Sequence, residues 1–90
     1  MNYYSVVPED NRFPARYNQS GDSPQDAAIR YGMDWPDAQI VTVRDDHNKA
    51  TRFRLTLHTA PGWGKGTSWH SVIATEIRPE ELQKALEELP

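Results

Sequence analysis

Between Thr51 and His58 the chain reads TRFRLTLH, a strict alternation that puts Phe53, Leu55 and Leu57 on one side and Arg52, Arg54, Thr56 and His58 on the other. Only an extended strand sorts side chains with a period of two, so the segment predicts a half-buried β-strand with a basic outer face. The run from Gln39 to Arg44 (QIVTVR) has the same character. The polar stretch Asp45-Asp46-His47-Asn48-Lys49 between the two runs predicts the connection of a hairpin. A third alternating run sets Trp69, Ser71, Ile73, Thr75 and Ile77 against His70, Val72, Ala74 and Glu76, and is expected to pair with Thr51 to His58. Such a chain displays a sheet surface more clearly than a reaction centre, which favours a small module that works by binding.

The flanking segments fill in the plan. Tyr3 to Val7 is aromatic and β-branched and predicts a first strand that stops before Pro8, whose missing N–H breaks a ladder. Pro8 to Gly21 shows no period, even around Phe13 to Tyr17, and is expected to be loop. Ser23-Pro24-Gln25-Asp26 supplies a capping hydroxyl, a proline at the first helical position and a carboxylate in the first turn, so a short helix is expected from Pro24 to Tyr31, with Gly32 as its left-handed terminating residue. Asp34-Trp35-Pro36-Asp37 then breaks it. Thr59 to Ser68, rich in glycine, predicts a flexible loop carrying Trp63. Pro79-Glu80-Glu81 opens a last helix, in which Leu82, Ala85, Leu86 and Leu89 follow the i, i+3, i+4, i+7 pattern. The expected fold class is α+β: a small two-layer domain with a mainly antiparallel sheet of three to four strands, a short helix after the first strand and a C-terminal helix. Both helices are expected to cover one face and leave the other open.

At 90 residues the chain supports a single domain with one modest core. Without cysteine, disulfides, thiolate catalysis and cysteine-ligated metal are excluded, and a reducing cytoplasm fits. Met1 to Val7 lacks the basic and apolar regions of a secretion signal, and no stretch approaches the roughly 20 apolar residues that span a bilayer, so neither export nor membrane insertion is expected. The formal net charge of −3 is too small to predict general attraction to nucleic acid.

Motifs that carry chemistry are weak. Gly62-Trp63-Gly64-Lys65-Gly66-Thr67 invites a phosphate-loop reading, but the spacing fails, since four residues must separate the first glycine from a Gly-Lys-Ser/Thr triplet leading into a helix. His47, His58 and His70 lack helical spacing; His58 and His70 become cross-strand neighbours only if a hairpin joins them, and a two-histidine site with a carboxylate is the least favoured alternative, a small metal-dependent or hydrolytic enzyme. No cofactor, metal or catalytic residue is assigned. More informative are Arg44, Arg52, Arg54 and His58, with His70 as a further candidate, all predicted on the sheet side away from the apolar residues. They suit phosphates or carboxylates, and a nucleic-acid module using this face is the second alternative. Cross-strand pairing with Glu76, Asp45 or Asp46 would instead make them structural.

The opening Met1-Asn2-Tyr3-Tyr4-Ser5-Val6-Val7-Pro8, the helix around Ala27-Ala28, the hairpin Ile40 to Leu57 and the late Ser71-Val72-Ile73 together resemble small phage-encoded anti-CRISPR proteins, inhibitors of type I surveillance complexes with a compact strand–helix–sheet plan. The helix Glu80 to Leu89 is extra to that plan, and the family has no shared catalytic motif to carry over. The resemblance implies a cytoplasmic, non-enzymatic inhibitor, monomer or homodimer, that binds a type I CRISPR-Cas effector subunit stoichiometrically. Acidic residues Asp45, Asp46, Glu80, Glu81, Glu87 and Glu88 would meet a basic groove. Tyr17, Arg52, Arg54 and Trp63 are the candidate anchors.

Overall fold

The computed structural model describes residues 2–62 and 68–88. Strands Asn2–Pro8 (β1), Arg16–Gly21 (β2), Ile40–Arg44 (β3), Ala50–Pro61 (β4) and Ser68–Ile77 (β5) form one sheet in the order β2-β1-β3-β4-β5, with antiparallel neighbours throughout. Among the described residues, helices Pro24–Asp34 (α1) and Pro79–Glu87 (α2) and a 3₁₀ turn at Pro36–Ala38 complete the set of elements. The α+β class and the antiparallel sheet are as the alternation predicts.

The sheet has five strands rather than three or four, because Arg16–Gly21 is a strand and not part of a loop. Its sequence, RYNQSG, carries no apolar alternation. It pairs with β1 across a bulge, with Tyr4 opposite Gln19 and Val6 opposite Arg16, so the register slips by one residue and erases the period. The hairpin between β3 and β4 closes as its polar residues suggest. Asp45 Oδ1 accepts the backbone N–H groups of His47 and Lys49 at 2.9 Å, and Asn48 takes φ 63°, a left-handed conformation that asparagine tolerates.

Ser23 caps α1 as expected, its hydroxyl accepting the Asp26 N–H at 3.1 Å. The helix does not stop at Tyr31, however, but runs on to Asp34. Gly32 is therefore a buried interior residue rather than a terminator, and its bare backbone lets α1 approach Val72 and Leu55. Trp35, which precedes Pro36 and closes on the Tyr31 carbonyl, ends the helix.

The helices lie on opposite faces of the sheet. α1 contributes Ala27, Ala28 and Tyr31 to a core with Val6, Val41, Val43, Phe53, Leu55, Val72 and Ala74. α2 packs Ala85, with Leu82 and Leu86, against Ile40 and Ile77. Ile40 and Val41 are adjacent in one strand, so they point to opposite faces, and the two helices they meet must do likewise. The expectation of one open face is thus corrected. With α1 holding one side, Ile40 and Ile77 are the apolar residues that attract a helix to the other.

The second cluster is small, which sets an expected outcome. Ala85 is 4 % exposed, and glutamate there should detach α2 while leaving α1 and the sheet intact. A loss of about 1–2 kcal/mol corresponds to a fall in Tm of roughly 5–15 °C. In two-dimensional amide spectra, changes confined to α2, Ile40 and Ile77 are expected; global unfolding would show that α2 is integral to the domain.

Candidate functional site

Cross-strand partners share a face, so the side of the sheet bearing α2 can be read from the register. Ser5 stands opposite Arg44, Val7 opposite Thr42, Thr42 opposite Arg52, Ile40 opposite Arg54, and Arg52 opposite Ile77. Tyr3 joins this side as the next residue but one before Ser5. The face therefore carries Tyr3, Ser5 and Val7 on β1, Thr42 and Arg44 on β3, and Arg52 and Arg54 on β4. The basic face predicted from the alternation exists, and α2 covers one end of it.

The three arginines differ in their surroundings. Arg54 donates from Nη2 to Glu88 Oε2 at 3.1 Å, with both side chains about half exposed, a pair worth roughly 0–1 kcal/mol. Arg44 is exposed, and among the described residues no carboxylate lies within ion-pair distance of it. Arg52 is half-buried, and its Nε is shielded from solvent without an acceptor. Beside them, Thr42 is nearly buried, with its hydroxyl 3.4 Å from Glu9 Oε1.

The carboxylate that meets Arg54 comes from Glu88, the residue that caps the C-terminus of α2, and not from the positions expected to pair with it. Glu76 stands opposite Phe53, on the face of α1, which removes it from Arg52 and Arg54. Asp45 spends an oxygen on the turn backbone, and Asp46 lies 3.6 Å from His47 Nε2. Among the proposed contact residues, then, Arg54 and Glu88 engage each other; Glu87 is exposed on α2, accepting from Gln83 at 3.4 Å; Tyr17 is 70 % exposed on the edge strand β2. Trp63 lies outside the described residues. Asp45 and Asp46 share a depression of about 620 Å³ with Asn2, Tyr3, Tyr4, Pro24 and His47 at one end of the sheet. Two grooves of about 360 Å³ each flank α2, and both are lined by Arg54, Ala85 and Glu88.

The register does not set the two histidines opposite each other: His58 is opposite Ser71, and His70 is opposite Thr59. Among the described residues no group of three His, Asp or Glu side chains is arranged to hold a metal ion. No helix among them is long and apolar enough to cross a membrane. Three side chains away from the arginine face sit off their ordinary ionisation range, and one of them, the Arg12 guanidinium, is raised by its hydrogen bond to Asp10. The Asp10 carboxyl is held low by the Arg12 guanidinium and then by the Arg12 backbone N–H, within a surface turn. Burial pushes the Tyr31 phenol up.

The sequence reading missed several exposed apolar residues, among them Tyr3 at 64 %, Leu57 at 47 % and Ile73 at 50 %. A signal existed for Ile73, since β5 carries apolar residues on both faces of its alternation. Leu57 looked like a core residue by period, but β3 pairs no further than Arg54. Leu55, one residue on, still reaches the core, but from there β4 continues with β5 alone as a two-stranded ribbon, and Leu57 lies outside the core cluster. No protein-family model, curated protein or solved structure matches the chain.

Proposed function

We propose that the chain is a non-enzymatic binding protein that acts by stoichiometric protein–protein contact, and that its target is a type I CRISPR surveillance complex in the cytoplasm of a bacterial host. The observation that carries the contact reading is the ribbon. Thr56 pairs with Ile73 and Leu57 with Val72, so the half-exposed Leu57 and Ile73 are near neighbours on opposite faces. A ribbon apolar on both sides is rewarded by a protein groove that grips it and by nothing that offers charge alone. The choice of target rests on the resemblance of the sequence to anti-CRISPR inhibitors. It is supported by the exposed carboxylates of α2, Glu80, Glu81 and Glu87, which gather on one helix where they complement the basic grooves in which such complexes hold nucleic acid.

Titration of the protein into a purified type I surveillance complex should block target DNA binding or recruitment of the nuclease at one equivalent. Leu57→Asp combined with Ile73→Asp should remove that inhibition by at least tenfold, with an unchanged circular dichroism spectrum. DNA binding and nuclease recruitment that both persist at a large molar excess of the protein overturn the choice of target. Inhibition that survives the double substitution overturns the ribbon as the contact surface.

A further inference from the structure

α2 covers the Ile40, Arg54 and Ile77 end of the arginine face and leaves Tyr3, Ser5, Val7, Thr42, Arg44 and Arg52 outside its apolar cluster. We propose that this uncovered half is a binding platform for single-stranded nucleic acid. Tyr3 would serve as the stacking surface, and Arg44 and Arg52 as the phosphate contacts.

Three observations carry the assignment. First, Tyr3 is 64 % exposed on an ordered strand, in a sheet whose other β1 tyrosine, Tyr4, is 6 % exposed on the opposite face. A phenol ring held on an open antiparallel sheet offers a flat apolar surface that an unstacked base can cover, a contact open to any base because each has a π-face. Second, Arg44 and Arg52 are diagonal neighbours, since Arg44 stands opposite Ala50 and Arg52 opposite Thr42. Their charges have no partner carboxylate among the described residues, whereas Arg54 on the same face has Glu88. Glu9 reaches this face only at the Thr42 hydroxyl, 3.4 Å away, and is beyond ion-pair distance of either guanidinium, so the two like charges still repel one another and an anion that bridges them relieves that repulsion. Third, Arg52 Nε is hidden from water with no acceptor, a donor whose desolvation is left unrecovered until an oxyanion reaches it.

The sheet geometry selects the kind of nucleic acid. The patch crosses β1, β3 and β4, about 10 Å, enough for two or three nucleotides laid across a sheet. A flat face inserts nothing into a duplex groove, so paired DNA leaves Tyr3 without a base to stack on. An acidic peptide would satisfy the arginines but not the ring. At the far end, Asp46 is exposed beside the Tyr3 depression and disfavours phosphate there, so the backbone is expected to run from Arg44 toward Arg52. Glu88 occupies Arg54 as a phosphate oxygen would, which makes it a competitor at the edge of the site.

This surface is separate from the Leu57–Ile73 ribbon, and the inference stands or falls independently of the protein-contact reading. Its test is fluorescence anisotropy of the full chain with labelled twelve-nucleotide oligo-dT, oligo-rU and a duplex of mixed sequence. Single strands should bind, with log affinity falling against log salt at a slope of about −1.4 for two phosphates. Tyr3→Ala and Arg44→Glu should each weaken binding about tenfold, and Glu88→Gln should strengthen it by freeing Arg54. Preference for the ribose or deoxyribose strand assigns the sugar and supports the proposal either way. Absence of binding at low salt, equal binding of the duplex, insensitivity to Tyr3→Ala, or stronger binding of a labelled glutamate-rich peptide than of either strand would each overturn it.

Discussion

Replacing Gly32 by alanine is expected to destabilise the protein by roughly 1–2 kcal/mol, although the same change in an exposed helix interior gains about 1 kcal/mol. A Cβ at this position would stand 2.7 Å from Val72 Cγ1 and 3.3 Å from Leu55 Cδ1. Overfilling a packed contact costs about 1–3 kcal/mol, which exceeds the propensity gain. Val72 is 7 % exposed and Leu55 6 %, so neither can move aside into solvent. Valine at position 32 adds two more carbons and β-branching, and should cost in excess of about 3 kcal/mol.

A double-mutant cycle separates crowding from any other cause. Val72→Ala alone should cost about 2 kcal/mol for the lost methyl groups and the space they leave. In that background Gly32→Ala should turn neutral or stabilising, giving a coupling of about 2 kcal/mol that distant residues do not show. Urea denaturation of the four proteins reads the whole cycle. A rise in midpoint for Gly32→Ala in the otherwise native chain would contradict the close approach of α1 to β5.

Gly32 also marks where sequence reasoning reached its limit. The alternation in β3, β4 and β5 was legible because each strand has a core on one side, and Ser23-Pro24 declared the start of α1 through local chemistry alone. The same local logic read Gly32 as a terminator, since nothing in the neighbouring residues signals Val72, forty positions later in the chain. β2 was invisible for a different reason: an edge strand with a bulge and polar residues has no period to detect. The basic face was legible as a face, because Arg44, Arg52 and Arg54 follow the two-residue period. That Arg54 meets Glu88 was not, for it depends on α2 choosing the side of Ile40 and Ile77, and period alone does not order two equivalent faces. Exposure of Leu57 was equally hidden, being set by where a neighbouring strand ends.

Tyr31→Ala should be among the most damaging single substitutions, at about 3–5 kcal/mol. A domain of 90 residues has a total stability of about 5–13 kcal/mol, so the variant is expected to be partly or wholly unfolded at 37 °C. The Tyr31 ring is fully buried in the α1 core, Arg16 lies 5.9 Å from its centroid, and its hydroxyl donates to the Pro14 carbonyl at 2.7 Å. It thus ties the segment before β2 to the helix. Tyr31→Phe keeps the ring and loses the hydrogen bond, and because Pro14 is exposed and its carbonyl can turn to water, the cost should be about 1 kcal/mol.

The two variants also differ in alkali. Burial raises the Tyr31 phenol above its ordinary value near 10, with the Arg16 charge opposing in part. Folded and unfolded states both hold the proton below that ordinary value, so the stabilising contribution is complete there. It is lost as pH rises from about 10 through the higher folded-state value, because the unfolded chain releases its proton first. The native protein should therefore lose stability steeply above pH 10, and Tyr31→Phe, having no proton to lose at this site, should lose less. Urea midpoints of the two proteins measured at pH 8 and pH 11 decide the matter: their difference should shrink with rising pH. A difference that stays constant would mean that the phenol ionises as freely in the folded protein as in the unfolded chain.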